Sequence, residues 1–118
     1  MGTVSLSVDD FAAAVLAPGI VLVDFWSPAR AGCRAFTAVL EAAAERHPDI
    51  VFARVDAEAD PDLPLAVGVR KIPTLTVYRD GVLVFAEPGL LAEDSLDVLL
   101  DMVRELDMTA VRELFPGR

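Results

Sequence analysis

Seven consecutive residues, Ile20-Val21-Leu22-Val23-Asp24-Phe25-Trp26, are apolar with one exception, and no other feature of the chain constrains its fold as tightly. Their β-branched and aromatic content argues for a strand. The lack of alternation argues that the strand is buried on both faces, as in a parallel or mixed sheet covered by helices. A second run of this kind, Ile50 to Val55, reads the same way. Between the two, a helical pattern extends from about Arg30 to His47 with Phe36, Leu40, Ala43 and Ala44 on one face. Pro48 stops that helix, because a proline disfavours helical geometry in the residue before it.

The flanking segments complete the pattern. Ser7-Val8-Asp9-Asp10 has the form of a capping box and opens a short helix carrying Phe11, Val15 and Leu16, which Pro18-Gly19 ends. Asp60 to Val67 reads as another short helix, closed by Gly68. Thr74 to Tyr78 and Val82 to Phe85 are strands, and Asp80-Gly81 between them suits a type I′ hairpin turn. A last helix spans roughly Ala92 to Leu106, with Leu96, Leu99, Leu100 and Val103 at helical spacing. With a short first strand near the N-terminus, the order is β-α-β-α-β-α-β-β-α. The fold class is therefore α/β, a central mixed sheet flanked by helices on both faces. One domain is expected over residues 1–107. Residues 108–118 form a C-terminal extension, helical or frayed, in which Met108, Val111, Leu114 and Phe115 suit a further amphipathic turn.

Charge and composition narrow the function classes. Ten Lys and Arg against nineteen Asp and Glu give a formal charge of −9, which repels phosphate backbones and anionic lipid. Neither nucleic acid nor a membrane is expected as a partner. The N-terminus lacks a basic segment followed by an apolar one, so no signal peptide is expected. One cysteine and one histidine rule out an internal disulfide framework and a zinc cluster, so no metal or cofactor is expected and a reducing cytoplasm suits the chain.

Val23-Asp24-Phe25-Trp26, a helix starting near Cys33-Arg34, then Ile72-Pro73-Thr74 and Asp80-Gly81 resemble the thioredoxin family in order and spacing. The resemblance covers roughly Thr3 to Arg104 and implies a thioredoxin-like fold. The active-site segment departs from the family. Where members carry Trp-Cys-Gly-Pro-Cys, this chain has Ala29-Arg30-Ala31-Gly32-Cys33. The resemblance puts Arg30 at the attacking cysteine's place and Cys33 at the resolving one. Disulfide exchange needs a thiolate to attack and a second thiol to release the mixed disulfide, so one chain cannot close that cycle.

Each candidate site residue has two readings. Cys33 shares a helical stripe with Phe36, Thr37, Leu40 and Ala44, which suits a small core hydrophobe. The alternative is monothiol chemistry, a mixed disulfide between Cys33 and glutathione or a protein partner. Arg30 is either a solvated surface cation or, with Arg34 and free helix N–H groups, part of an anion site. Asp24 is costly in an apolar strand unless paired. The resemblance makes it a buried carboxylate beneath the resolving position, here vestigial and paired with Arg54 or bridged by water. It also makes Pro73 a cis-proline and implies that Trp26, Ile72 and Pro73 border a groove for a protein or extended peptide segment. The structural reading of the same residues is loop shaping and packing. His47, before Pro48, is expected to interact with the end of its own helix. The function that follows is a redox-inactive binding module or partner subunit, with the monothiol oxidoreductase as the alternative.

Overall fold

The computed structural model describes residues 2–114. In chain order its elements are β1 (Val4–Ser5), α1 (Val8–Leu16), β2 (Ile20–Trp26), α2 (Ala31–Arg46), β3 (Ile50–Asp56), α3 (Asp62–Ala66), β4 (Thr74–Arg79), β5 (Val82–Pro88), α4 (Glu93–Arg104) and α5 (Met108–Glu113). The strands form one sheet in the order β1-β3-β2-β4-β5. β3 runs parallel to both β1 and β2, whereas β4 runs antiparallel to β2 and β5. The mixed sheet expected from the sequence is thus present, and the run Ile20–Trp26 forms its middle strand.

The absence of alternation in that run has its cause in two separate cores. Ile20 and Leu22 pack with Phe36, Leu40 and Ala43 of α2 and Leu96, Leu100 and Val103 of α4. Val21, Val23 and Phe25 point the other way, toward Phe11 and Val15 of α1 and Leu63 of α3. A strand covered on both faces has no solvent side on which a polar residue would be selected. β5, at the sheet edge, is largely exposed beyond Phe85, which explains why its outer half carries no apolar signal.

Local chemistry sets the boundaries. Asp10 Oδ2 accepts from the Ser7 N–H and hydroxyl at 3.4 and 3.1 Å, starting α1. Asp80 and Gly81 have φ of 52° and 82°, the paired positive values that a type I′ turn requires and that glycine adopts without strain. Arg79 Nη1 donates to the carbonyls of Val103, Arg104 and Leu106 at 2.8 to 3.0 Å, satisfying the C-terminal end of α4. α5 starts at Asp107, whose carboxylate accepts from the N–H groups of Thr109 and Ala110, and Met108 is buried. Of the C-terminal residues considered above, Phe115 lies outside the described part of the chain.

His47 differs from expectation. Its backbone N–H does close α2 on the Ala43 carbonyl. Its buried imidazole, however, turns to α4. Arg104 Nη2 donates to Nδ1 at 2.8 Å, so Nε2 carries the hydrogen toward Asp97 Oδ1 at 2.7 Å. The ring is an interhelical tie, and the partners that decide this lie some fifty residues away, at Asp97 and Arg104.

Candidate functional site

Strand periodicity decides which side chains meet at the end of the sheet. Asp24 and Trp26 share the β2 face of Leu22, the face that α2 covers. The parallel register sets Asp24 opposite Arg54 and Trp26 opposite Asp56. Arg54 therefore lies between Asp24 and Trp26, beneath the first turns of α2.

The Arg54 side chain is 5% exposed and fully engaged. Its Nε donates to Asp24 Oδ2 at 3.0 Å and its Nη2 reaches the same oxygen at 2.9 Å. Nη1 donates to Thr37 Oγ1 at 2.5 Å, and Nη2 to the Cys33 carbonyl at 3.0 Å. The guanidinium carbon stands 3.8 Å from the centroid of the Trp26 ring, a stacked cation–π contact in a desolvated setting. Asp24 is thus paired, but only through one oxygen. Oδ1 is buried with no hydrogen-bond partner among the described residues. Burial pushes its carboxyl up to about 6, against the smaller opposing pull of the Arg54 charge and hydrogen bond.

Cys33 is the only cysteine and is 1% exposed. It sits in the first turns of α2 on the stripe with Phe36 and Leu40, and its carbonyl, not its thiol, takes part in the Arg54 network. Arg30 is the N-cap residue of α2 and is exposed; its N–H donates to the Ser27 carbonyl and its carbonyl accepts from the Arg34 N–H. Arg34 turns back, donating from Nη1 to the Pro28 carbonyl at 2.9 Å.

Trp26 and Pro73 lie at the same end of the sheet, Trp26 ending β2 and Pro73 preceding β4. β2 and β4 pair as far as Phe25 opposite Thr74. The Ile72–Pro73 peptide bond is cis. The Gly89 N–H donates to the Pro73 carbonyl at 2.8 Å, and Leu90 lies 3.9 Å from where a Cβ on Gly32 would stand. Trp26, Ile72 and Pro73 are half-buried and Leu90 is exposed, so this end of the sheet presents apolar side chains to solvent.

One further residue shapes the site. Glu58 Oε2 accepts from the Ser27 hydroxyl and from the Ala29 N–H, tying the turn before α2 to the loop after β3. Asp56 Oδ1 orders that loop by accepting from the N–H groups of Glu58 and Ala59. An exposed glutamate in a loop carries no period and matches no motif, so only the fold reveals it. Replacing Glu58 with Ala removes the acceptor of the buried Ser27 hydroxyl and of the exposed Ala29 N–H. The expected results are a stability loss of about 1 kcal/mol and roughly tenfold faster hydrogen exchange at the Ala29 amide, read by NMR, with the sheet amides unchanged. Unchanged exchange at Ala29 would show that the turn holds without Glu58.

Among the described residues no group of three metal-ligating side chains occurs, and no helix is long and apolar enough to cross a membrane. The thioredoxin family profile matches residues 2–102. A protein of Streptomyces coelicolor bearing the name thioredoxin 2 is 44% identical over 111 residues, covering 94% of this chain and 83% of the relative. The thioredoxin of Chlamydia muridarum is 39% identical over 95 residues, 80% of this chain and 92% of its own length. Among solved structures, an asparagine-to-glutamine variant of thioredoxin from Halobacterium salinarum superposes with a TM-score of 0.81 at 29% identity, covering 89% of this chain and 93% of that one.

Proposed function

The chain belongs to the thioredoxin family, and on that footing we propose that it is a protein- or peptide-binding module of this fold that does not run a dithiol cycle. The observation that carries the proposal is the state of its thiol. Cys33 is the sole cysteine and its side chain lies in the core at 1% exposure. Arg30 occupies the outer position of the active-site turn, where the family resemblance sets the attacking thiol. A guanidinium cannot attack a disulfide, and a core thiol has no access to one. The fold's substrate-facing surface is a different matter. Trp26, Ile72 and Pro73 are partly exposed, and neither the N–H nor the C=O of Ile72 bonds to the described chain. An extended segment laid along this loop would find a backbone donor and acceptor beside apolar side chains.

Two measurements test the reading. Reduction of insulin disulfides by dithiothreitol is expected to proceed at the uncatalysed rate when this protein is added; a catalysed rate would overturn it. Cys33 is expected to react with Ellman's reagent only after denaturation. Rapid reaction in the native state would instead support a mixed disulfide at Cys33, the monothiol chemistry that the core position argues against.

A further inference from the structure

Trp26 is the only tryptophan, and it joins the buried Asp24–Arg54 pair to the surface. The guanidinium carbon of Arg54 lies 3.8 Å from the centroid of the half-buried indole. The same guanidinium holds Asp24 Oδ2 through Nε at 3.0 Å and Nη2 at 2.9 Å. A carboxyl with no exposure is thus linked, through one cation, to a ring at the candidate binding face. Asp24 Oδ1 is buried without a partner among the described residues, so it can take a proton without displacing Arg54.

Every element packed around this line has been accounted for in charge. β3 sets Arg54 opposite Asp24 and Asp56 opposite Trp26, and β4 sets Leu75 opposite Asp24. α2 supplies the Thr37 hydroxyl and the Cys33 carbonyl to Arg54 and buries the titratable Cys33 thiol, while Arg34 turns to the Pro28 carbonyl. α4 contributes Leu96, Leu100 and Val103 to the core on this face. The carboxylates of Asp56 and Glu58 stand at the loop end, bonded to loop N–H groups and the Ser27 hydroxyl. The charge acting on the Asp24 carboxyl is that of Arg54, which opposes the burial holding it at about 6. Two charge states follow. With Asp24 ionised, the cation beneath the indole is compensated by a carboxylate 2.9 Å away; with Asp24 protonated, it is not. A segment laid over Trp26 excludes water from this end of the sheet. Sealing a net charge from water costs more than sealing a compensated pair.

We propose that Asp24, Arg54 and Trp26 form a proton-sensitive relay that regulates the binding face. With Asp24 ionised the face accepts an apolar extended segment, and with Asp24 protonated it accepts the same segment less well. The regulation rests on the binding-module reading, whereas the relay rests on the contacts among the three residues. Linkage makes the effect reciprocal: a segment that covers Trp26 expels the Asp24 proton to the same degree that the proton expels the segment.

The test has two arms, both on the full chain, with circular dichroism establishing that each variant is folded. In the first, Trp26 fluorescence is titrated from about pH 4.5 to about pH 9. One transition with a midpoint of about 6 is expected in the parent, absent in Asp24→Asn and retained in His47→Gln, whose ring ties α2 to α4. Arg54→Met is expected to lose most of its amplitude. A flat parent titration, a transition that survives Asp24→Asn, or one of full amplitude in Arg54→Met overturns the relay. In the second arm, a rhodamine-labelled peptide with blocked termini, alternating Val and Ser and so free of titrating side chains, is followed by anisotropy. It is expected to bind about tenfold tighter at about pH 7.5 than at about pH 5, and equally at both in Asp24→Asn. Equal binding by the parent at both pH values overturns the regulation and leaves the binding-module reading standing. Failure to bind at either pH overturns that reading and the regulation with it, while the fluorescence arm still decides the relay.

Discussion

Replacing Arg54 with Met is expected to destabilise the protein by about 3 kcal/mol or more at pH 7, the largest effect of any single substitution at this end of the sheet. Among the described residues the guanidinium is the only partner of the buried Asp24 carboxylate, and it also satisfies Thr37 Oγ1 and the Cys33 carbonyl and stacks on Trp26. Methionine has similar length and fills most of the volume, so the loss is chiefly electrostatic rather than a cavity effect. Without the guanidinium, the Asp24 carboxyl is driven further upward and binds a proton from solvent. Proton uptake limits the loss near neutrality, but each step up in pH makes it harder. The destabilisation should therefore deepen above pH 7 and shrink toward pH 4, as measured by urea unfolding of the two proteins across that range. The double variant Asp24→Asn/Arg54→Met should recover a large share of the loss, because neither residue then carries a buried charge. A loss below about 1 kcal/mol, or strict additivity in the double variant, would show that the two groups do not act as a pair.

The sheet and its helices were legible in the sequence because they rest on periodicity and punctuation. The unbroken run Ile20–Trp26 announces a strand with a core on each side, and Leu22 and Val23 do belong to separate cores. Asp80-Gly81 announces the hairpin, and both residues take the positive φ that their chemistry allows. The site was legible only where one strand's parity sufficed. Asp24 in an apolar run calls for a partner, and the identity of that partner follows from register, which sets Arg54 across from it. Three features were out of reach because they depend on distances between remote segments. These are the stacking of Arg54 on Trp26, the clamp from Glu58 to Ser27 and Ala29, and the tie from His47 to Asp97 and Arg104.

Asp24→Asn is the converse experiment, and its expected result has the opposite sign: a gain in stability of about 2 kcal/mol at pH 7. The folded-state carboxyl sits at about 6, above its usual 3.8, because desolvation outweighs what Arg54 returns. A group raised in this way stabilises the folded state fully below about pH 4, where it is protonated whether folded or unfolded. That contribution is lost as pH rises through about 6, and above it the buried charge costs about 3 kcal/mol. Asparagine never ionises, so it escapes this loss. Part of the gain is offset because an amide at this site brings an N–H₂ group to the position where Oδ1 already lacks a partner. Arg54 keeps an amide oxygen to donate to, together with Thr37, the Cys33 carbonyl and the Trp26 ring. The two predictions are compatible, since a buried pair can be less favourable than its neutral replacement and yet be costly to break from the cationic side alone. Urea unfolding across the pH series should show the variant and the parent separating between about pH 4 and pH 6 and running parallel above it. Carboxylates such as Asp49 and Asp97, held low by Arg104 and Arg46, titrate alike in both proteins and cancel in the difference. A variant less stable than the parent at pH 7, or a difference that does not change with pH, would mean that the ionised Asp24 is a net contributor to the fold.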